Sequence, residues 1–545
     1  MPAEQNETLR RAQKAFERTQ QWHGVLKDAY HYALPNHDGF GGHAQGDQRD
    51  VDVFDSTAPE AVRERKARLH GQLFPAFREW VDFQPDREAE VAIPGLDAWP
   101  DYLEMVRTRF HRAVEASNFH IEVPPALADS LISTGAITVH EGTPDDPLRF
   151  EALPTHQLGF EEGPDGVIRT VFRKWAVPGR TLSLRWADAS LPSDTARAIE
   201  KNPEADIYLV EAFLWDYDRE RLDYEVWLSK GPEPALSDTR IVARRYASSP
   251  IIVFRMDKAV GEIMGRGPVL SVLGNIKTAN AVVKLVLQNA ETAIVGMWQT
   301  ADNSVINTEN LELGPGVIIP RSLDADGLEP LKPAGDFNVS ALILSELREG
   351  IRQAILGPSL PPQDARVRTA FEIDVRAAQQ EAVEVPESLR LLSELSGPLV
   401  RRILDVLQHP SLAGSPYYIP PFSLGGAAAL KPVPVSPLVK LQEEADAAST
   451  IQSYAAAAQL FPDLIEVAVD RRKVLNAYLA DSKIPETVRR SEEEQTLMQQ
   501  QQAQLQAQQQ QFQALAQMAA GAASDGGEPG GETGLAEQSA GPALA

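Results

Sequence analysis

The chain contains no cysteine. That excludes disulfides, thiolate metal sites and cysteine nucleophiles together, and it suits a reducing compartment. Positive charge is also scarce: 52 lysines and arginines stand against 77 acidic residues, a formal net charge of −25. A protein that wraps nucleic acid by releasing counterions is normally basic, so this composition excludes a DNA clamp. Long apolar runs are missing. The most apolar helical stretch is interrupted by Lys277, Lys284 and Glu291, so no membrane span is expected. The N-terminus is polar and lacks an apolar h-region, so no signal peptide is expected either. There is no G-x-x-x-x-G-K-[ST] phosphate loop, no H-E-x-x-H and no G-x-S-x-G. The ten histidines are scattered. His111, His120 and His140 share a region, but lone histidines are usually surface or hydrogen-bonded core residues, so no metal site is expected there. Asp52 and Asp55 resemble a carboxylate pair, yet Asp55 is better explained as a helix cap. No cofactor and no catalytic constellation emerge.

What is present is length and a strong pattern. With 545 residues, 43% of them hydrophobic, the chain can form two to four domains with real cores. The organising stretch runs from about 261 to 385. A helix starts at Gly267-Pro268, with proline at the tolerated first turn. Its apolar line is Val269, Val272, Ile276, Ala279, Val283, Val286, Ala290, Ala293 and Met297, in steps of three and four. About thirty residues at 1.5 Å each give a rod of roughly 45 Å. Leu273, Leu287 and Ile294 widen the stripe, so the rod packs on more than one side. A small lobe follows, with a turn and strand-like run at Leu313–Pro320. A second helix carries Leu344, Leu347, Ile351 and Ile355 on one face and stops at Gly357-Pro358. The next loop is stiffened by Pro358, Pro361 and Pro362 and carries Asp364, Arg366 and Arg368. Thr369 and Glu372 then form a capping box that opens a long helix.

Before this stretch, residues 8–34 predict one amphipathic helix. Asp55-Ser56-Thr57-Ala58 caps a second helix, which closes at Leu73-Phe74-Pro75 ahead of a strand at 79–83. Helices at about 98–116 and 119–133 lead into strands near 135–140, 148–153, 157–161 and 167–176. A short helix at 192–201 precedes strands at 206–216, 222–229, 240–246 and 249–255. Trp215, Tyr217, Tyr224 and Trp227 are expected to be sheet core rather than base-stacking platforms. After the long helix, Gly397-Pro398 is expected to kink or break the path. Residues 410–437 hold many prolines and glycines and predict a connector. Helices resume at about 437–459 and 464–481. A Gln-rich tract at 491–519 has Met498, Leu505 and Phe512 seven residues apart. That tract is either low-complexity disorder or a helix that joins its neighbours. Residues 521–545 predict a disordered tail.

Two helices flanking a lobe, with a loop that re-enters a long helix, resemble the head-to-tail connecting (portal) proteins of short-tailed, podovirus-type bacteriophages. The likeness covers about residues 8–520. The block from Asp55 through Leu73 and Pro75 to Trp80 is similar to that family, and so is the order helix, Asn118-Phe119, helix, strand. Gly265, Arg266 and Pro268 resemble its strand-to-stem junction, with Met264 where an aromatic is usual. The resemblance implies an α+β portal fold. It has a mixed α/β wing (1–265 and 370–430), a helical stem (266–297 and 339–357) and a small β-containing clip (298–338). A channel loop (358–369), a helical crown (431–490) and a Gln-rich barrel helix (491–520) complete it.

The implied function is a ring, usually of twelve copies, at one capsid vertex of the virion. It would conduct double-stranded DNA during packaging and ejection. Implied partners are the terminase large subunit, tail adaptor proteins, scaffold and major capsid protein, with synthesis in the host cytoplasm. The missing phosphate loop means that this chain is not the packaging ATPase. An acidic wall suits a conduit because it does not adhere to phosphate. Under this reading Val272, Ile276, Val283 and Val286 are stem contacts between copies, and Met498, Leu505 and Phe512 line a crown barrel. Arg366 and Arg368, with Pro361, Pro362 and Asp364, form a loop that meets DNA; alternatively, both arginines pair with Asp364, Glu372 or Asp374. The competing reading is an oligomeric adaptor or scaffold of a cellular complex that translocates no DNA.

Overall fold

The apolar steps that predict one helix over residues 8–34 produce two, α1 (Pro2–Gln21) and α2 (His23–Ala33). The chain tightens at Trp22, whose N–H donates to the Thr19 carbonyl. The reason is packing. Leu9, Ala12, Ala15 and Phe16 of α1 bury against Phe172, Val210, Ala212 and Trp227 on one sheet. Leu26, Ala29, Tyr30 and Ala33 of α2 join the main core instead. One straight rod could not serve both surfaces.

The computed structural model describes residues 2–37, 40, 46–49, 51–85, 99–235, 238–295, 298–299, 329–330, 337–357, 389–421 and 430–435. The chain divides into two compact units, Met1–Lys440 and Leu441–Ala545, and all described residues lie in the first.

In chain order, α3 (Thr57–Leu73) leads to β1 (Val81–Pro85), α4 (Trp99–Ala116) and α5 (Phe119–Ile132). Then come β2 (Thr134–Glu141), β3 (Leu148–Ala152), β4 (Leu158–Glu162) and β5 (Ile168–Pro178). Helix α6 (Gly179–Arg185), absent from the sequence reading, precedes α7 (Ser193–Lys201). Strands β6 (Asp206–Asp216), β7 (Arg221–Ser229), β8 (Thr239–Tyr246) and β9 (Ile251–Arg255) follow. The pattern of alternation set these strands correctly. Five of them form an antiparallel meander in the order β4-β5-β6-β7-β8, and β3-β2-β9 form a second antiparallel sheet. Trp227 and Tyr224 are buried as expected, but Trp215 is only partly buried and Tyr217 is exposed, because it lies beyond the end of β6. The described residues are thus a mixed helix-and-sheet architecture.

Past β9 the chain enters α8 (Pro268–Ser271) and α9 (Leu273–Val295), which are separated by a break at Val272. Short strands β10 (Trp298–Gln299) and β11 (Glu329–Pro330) pair beyond it, and α10 (Phe337–Leu356) returns antiparallel to α9. Residues 389–391 are helical, and α11 spans Gly397–Leu407. At Gly397-Pro398, where a kink or break is expected, the helix is irregular but continuous. A π turn at Leu392–Ser396 precedes the proline, with the Gly397 N–H reaching back to the Leu392 carbonyl. One wide turn accommodates the proline and the helix runs on. Strand β12 (Leu430–Pro434), inside the expected connector, pairs antiparallel with β1. Its prolines hid it, since proline within a run normally argues against a strand.

A buried carboxyl gives this core a pH dependence. Asp129 on α5 is 2% exposed, accepts from the Tyr30 hydroxyl at 2.8 Å and lies 3.5 Å from His37 Nδ1. Burial pushes its pKa up to about 6, against the opposing pull of His37 and the Tyr30 hydrogen bond. The folded state therefore holds this proton more tightly than the unfolded chain. The stabilisation is complete below the ordinary carboxyl range and is lost as pH rises through about 6. At about 1.4 kcal/mol per unit, the loss is on the order of 3 kcal/mol. Asp129→Asn, neutral throughout, is expected to be more stable than the wild type at pH 8, with the gap closing toward pH 4. Urea midpoints across that range test this; a gap independent of pH would contradict it.

Candidate functional site: the base of the helix pair

Helices α9 and α10 leave the core together, and their bases are held by side chains from distant elements. Gly265 and Gly267 lie against the end of α5. A Cβ on Gly267 would sit 2.1 Å from the Leu131 carbonyl oxygen, and one on Gly265 would sit 2.3 Å from that of Ser133. Only glycine permits this approach. It is sealed by Gly267 N–H to the Ile132 carbonyl at 3.0 Å, Gly265 N–H to the Thr134 hydroxyl at 3.0 Å, and the Ser133 hydroxyl to the Gly265 carbonyl at 2.9 Å. Met264, just before the first of these glycines, is buried in the core.

The loop before α3 forms the second hold. Asn280, buried on α9, accepts from the N–H groups of Phe54 at 2.6 Å and Asp55 at 3.1 Å, and donates to the Asp52 carbonyl at 2.9 Å. Asp55 caps the start of α3 by accepting from Thr57 N–H at 2.9 Å, as the sequence reading expected. Its second oxygen accepts from Arg348 Nε of α10 at 2.8 Å. Burial alone would raise the Asp55 carboxyl, but Thr57 and Arg348 outweigh it and hold the pKa below the ordinary value. One carboxylate thus joins the α3 cap to α10. Asp52 and Asp55 do not act as a carboxylate pair, because Asp52 contributes its backbone oxygen. Lys277 of α9 pairs with Asp28 of α2, and the Lys284 ammonium lies 5.5 Å from the Phe54 ring centre.

The third hold is at the far end of α10. Arg65 and Arg68 of α3 each donate to the Leu356 carbonyl at 3.0 Å. Two guanidinium groups meet the negative end of the helix dipole there. Gly357 then turns the chain with φ +79°, a left-handed helix stop. Residues 358–369 begin at this point.

Away from these holds the helix pair is apolar and open. Leu285 and Leu287 on α9 are 59% and 52% exposed, and Leu342 and Ile343 on α10 are 70% and 46% exposed. Helix faces of this kind need a partner surface.

A sequence model of the family described as bacteriophage head to tail connecting protein matches residues 5–489. The chain belongs to this head-to-tail connecting protein family. The family is structural, and the assignment rests on that sequence match. Among solved structures, the chain is similar to one described as "Neck of empty GTA particle computed with C6 symmetry". Identity there is 13% and TM-score 0.32, over 75% of this chain and 90% of that one. It is also similar to "Virion of native gene transfer agent (GTA) particle", with 14% identity, TM-score 0.31, and 78% and 94% coverage. No curated protein matches.

In this connector-family chain the residues expected to touch neighbouring copies fall in different places. Ile276 is 4% exposed and belongs to the chain's own core, so it offers no surface to a neighbour. Val272 sits at the helix break, partly buried against that core. Val283 and Val286 are half-buried, further out. The apolar line read from the sequence is real, but its first half faces inward. Arg366, Arg368, Pro361, Pro362 and Asp364 lie outside the described residues, as do Met498, Leu505 and Phe512. His111, His120 and His140 do not converge. His111 accepts from the Trp80 N–H at 3.2 Å, His120 contacts His70 at 3.1 Å, and His140 contacts Glu151 at 3.3 Å. Burial, with His120 alongside, lowers the His70 pKa to about 4. Among the described residues no group of three or more His, Asp or Glu could hold a metal, and no helix is long and apolar enough to cross a membrane.

Sequence reasoning missed Asn280, Arg348, Arg65 and Arg68. Asn280 carried a usable signal: a poor helix former beside Ala279, at the edge of the apolar stripe. The arginines carried none, since arginine on a helix is usually solvated.

Proposed function

We propose that the chain closes into a ring, of twelve copies, that forms the portal at one vertex of a phage capsid. The carrying observation is the helix pair. It is fixed at its base by Asn280, Asp55–Arg348 and the two glycines, and it presents Leu285, Leu287, Leu342 and Ile343 to solvent. In this reading α9 and α10 are the stem, and neighbouring copies cover those faces together with Val283 and Val286. The ring passes double-stranded DNA during packaging and ejection, and the net charge of −25 keeps its wall from adhering to phosphate. The clip at 298–338 docks the terminase large subunit and later the tail adaptors. Scaffold and major capsid protein surround the wing. The protein is made in the host cytoplasm, belongs to a podovirus-type virion, and carries a crown whose barrel uses Met498, Leu505 and Phe512. Electron microscopy of the purified protein tests this directly. Rings with an axial hole are expected; light scattering that finds only monomer at every concentration would refute it.

Residues 358–369 are the channel loop in this reading, with Arg366 and Arg368 as a narrow basic band that touches phosphates without reading bases. The double variant Arg366→Ala, Arg368→Ala is expected to form rings and dock the motor, yet package or retain DNA poorly. Full-length packaging and retention at wild-type levels would leave both arginines to ion pairs with Asp364, Glu372 or Asp374.

A further inference from the structure

Beside β9 lies a cleft of about 630 Å³, lined by Trp215, Ser248, Val253, Arg401, Leu404 and Lys431 among others. Clefts of this size seat small ligands or a few side chains. Three observations indicate what it takes.

The first is a strand edge that packs partly on the π turn and is left open at Val253. Among the described residues β9 is the last strand of its sheet and pairs only with β2. The Pro250 carbonyl accepts from Val139 N–H, so residues 250, 252 and 254 face β2. Residues 251, 253 and 255 face outward by alternation. Two of these are held: the Ile251 carbonyl accepts from the Ser249 hydroxyl at 2.6 Å, and Arg255 N–H donates to Glu394 at 2.9 Å. Among the described residues no hydrogen bond reaches the outward N–H or carbonyl of Val253. The second is Ser248, which is 5% exposed and whose hydroxyl has no hydrogen-bond partner although it lines the cleft. A buried polar group without a partner is costly. The third is charge. Arg401 and Lys431 are exposed at the cleft and make no ion pair among the described residues, in a chain that is otherwise strongly acidic. Arg169 adds a third cation, although Asp165 already engages it.

We propose that this cleft binds an extended, acidic segment of a partner protein by strand addition. The segment's backbone pairs with Val253, and it brings a polar group to Ser248. Its apolar side chains lie against Trp215 and Leu404, and its carboxylates meet Arg401 and Lys431. This is the pattern of an added strand: main-chain bonds hold it, and alternate side chains select it. Duplex DNA does not suit the cleft, because two free cations do not offset the repulsion of so acidic a chain. The proposal goes beyond the ring reading and does not depend on it.

The test uses the full chain as purified and a fluorescein-labelled nine-residue peptide alternating glutamate and valine. A lysine–valine analogue and a 20-base-pair DNA duplex serve as comparisons in fluorescence anisotropy. The glutamate peptide is expected to bind saturably, at least tenfold more tightly than either comparison. Arg401→Glu with Lys431→Glu, both exposed, is expected to weaken it at least tenfold. Val253→Pro, which removes the outward N–H and also alters a buried side chain, is expected to do the same. If Val253→Pro fails to fold, the charge variant still decides. Equal binding of both peptides, tighter binding of DNA, unchanged affinity in the charge variant, or no saturable binding each overturns the proposal.

Discussion

Replacing Arg255 by methionine is expected to destabilise the first unit by about 3–5 kcal/mol, the usual cost of breaking a buried ion pair by removing one partner. Arg255 is 1% exposed and sits at the end of β9. Its guanidinium grips Glu394 in the π turn through Nη2–Oε1 at 2.8 Å and Nε–Oε2 at 3.2 Å. It also donates to the carbonyls of Ile263 at 2.8 Å and Gly166 at 3.1 Å. Removing it leaves a carboxylate that is 11% exposed with little to hold it and orphans two carbonyls. The pairing is the strong, bidentate kind. It ties the sheet to the helical segment around the π turn. Adding Glu394→Gln to the variant removes the stranded charge, while its amide oxygen still accepts from the backbone N–H of residue 255. The double variant is therefore expected to recover a good part of the loss. Urea midpoints followed by tryptophan fluorescence measure both. A single variant within about 1 kcal/mol of wild type would show that the pair contributes no more than an exposed one.

The second large effect concerns assembly. Leu285→Asp with Leu287→Asp is expected to leave the monomer folded and abolish rings. Both leucines are more than half exposed in the single chain, so the charges cost little there. Inside a contact between copies each aspartate would be buried without a partner, at several kcal/mol, repeated around the ring. Leu342→Asp with Ile343→Asp on α10 is expected to act alike, since a closed ring buries two different faces of each copy. Val286→Asp should hinder assembly too, but Val286 is half-buried in the single chain, so its effect would mix with stability. Sedimentation and electron microscopy report the outcome. Persistent rings in both exposed variants would place the contacts elsewhere. Circular dichroism matching the wild type is needed to attribute a loss of rings to the contact.

Local pattern determined a great deal about this protein. Local pattern placed nine strands from β1 to β9 within a few residues and found α3, α4, α5 and α10, but it ran α8 and α9 together as one rod. These signals are legible because each depends on neighbours within one or two turns. The absence of cysteine and of a phosphate loop excluded whole classes of chemistry by residue type alone. The order of the elements, together with the Asp55–Trp80 block and the Gly265–Pro268 junction, was enough to resemble phage head-to-tail connecting proteins, and the sequence match established that family without the podovirus type.

Tertiary structure decided which face of a pattern looks inward. The same apolar line runs through Ile276 and Val286, yet the first is core and the second is half-open, because the base of α9 packs on α2 and holds the loop before α3 through Asn280. The break at Trp22 and the π turn before Pro398 were settled by what lay on either side, not by propensity. β12 exists because β1 offers it an edge, across a separation no local window covers. Asp55 was read correctly as a cap, but its link to Arg348, 293 residues away, was not readable. Nor were the meetings of Arg255 with Glu394 and of two arginines with one carbonyl. Charged pairs and glycine contacts have no periodicity, so nothing in the chain's order announces their partners. Only the packed fold brings them within 3 Å.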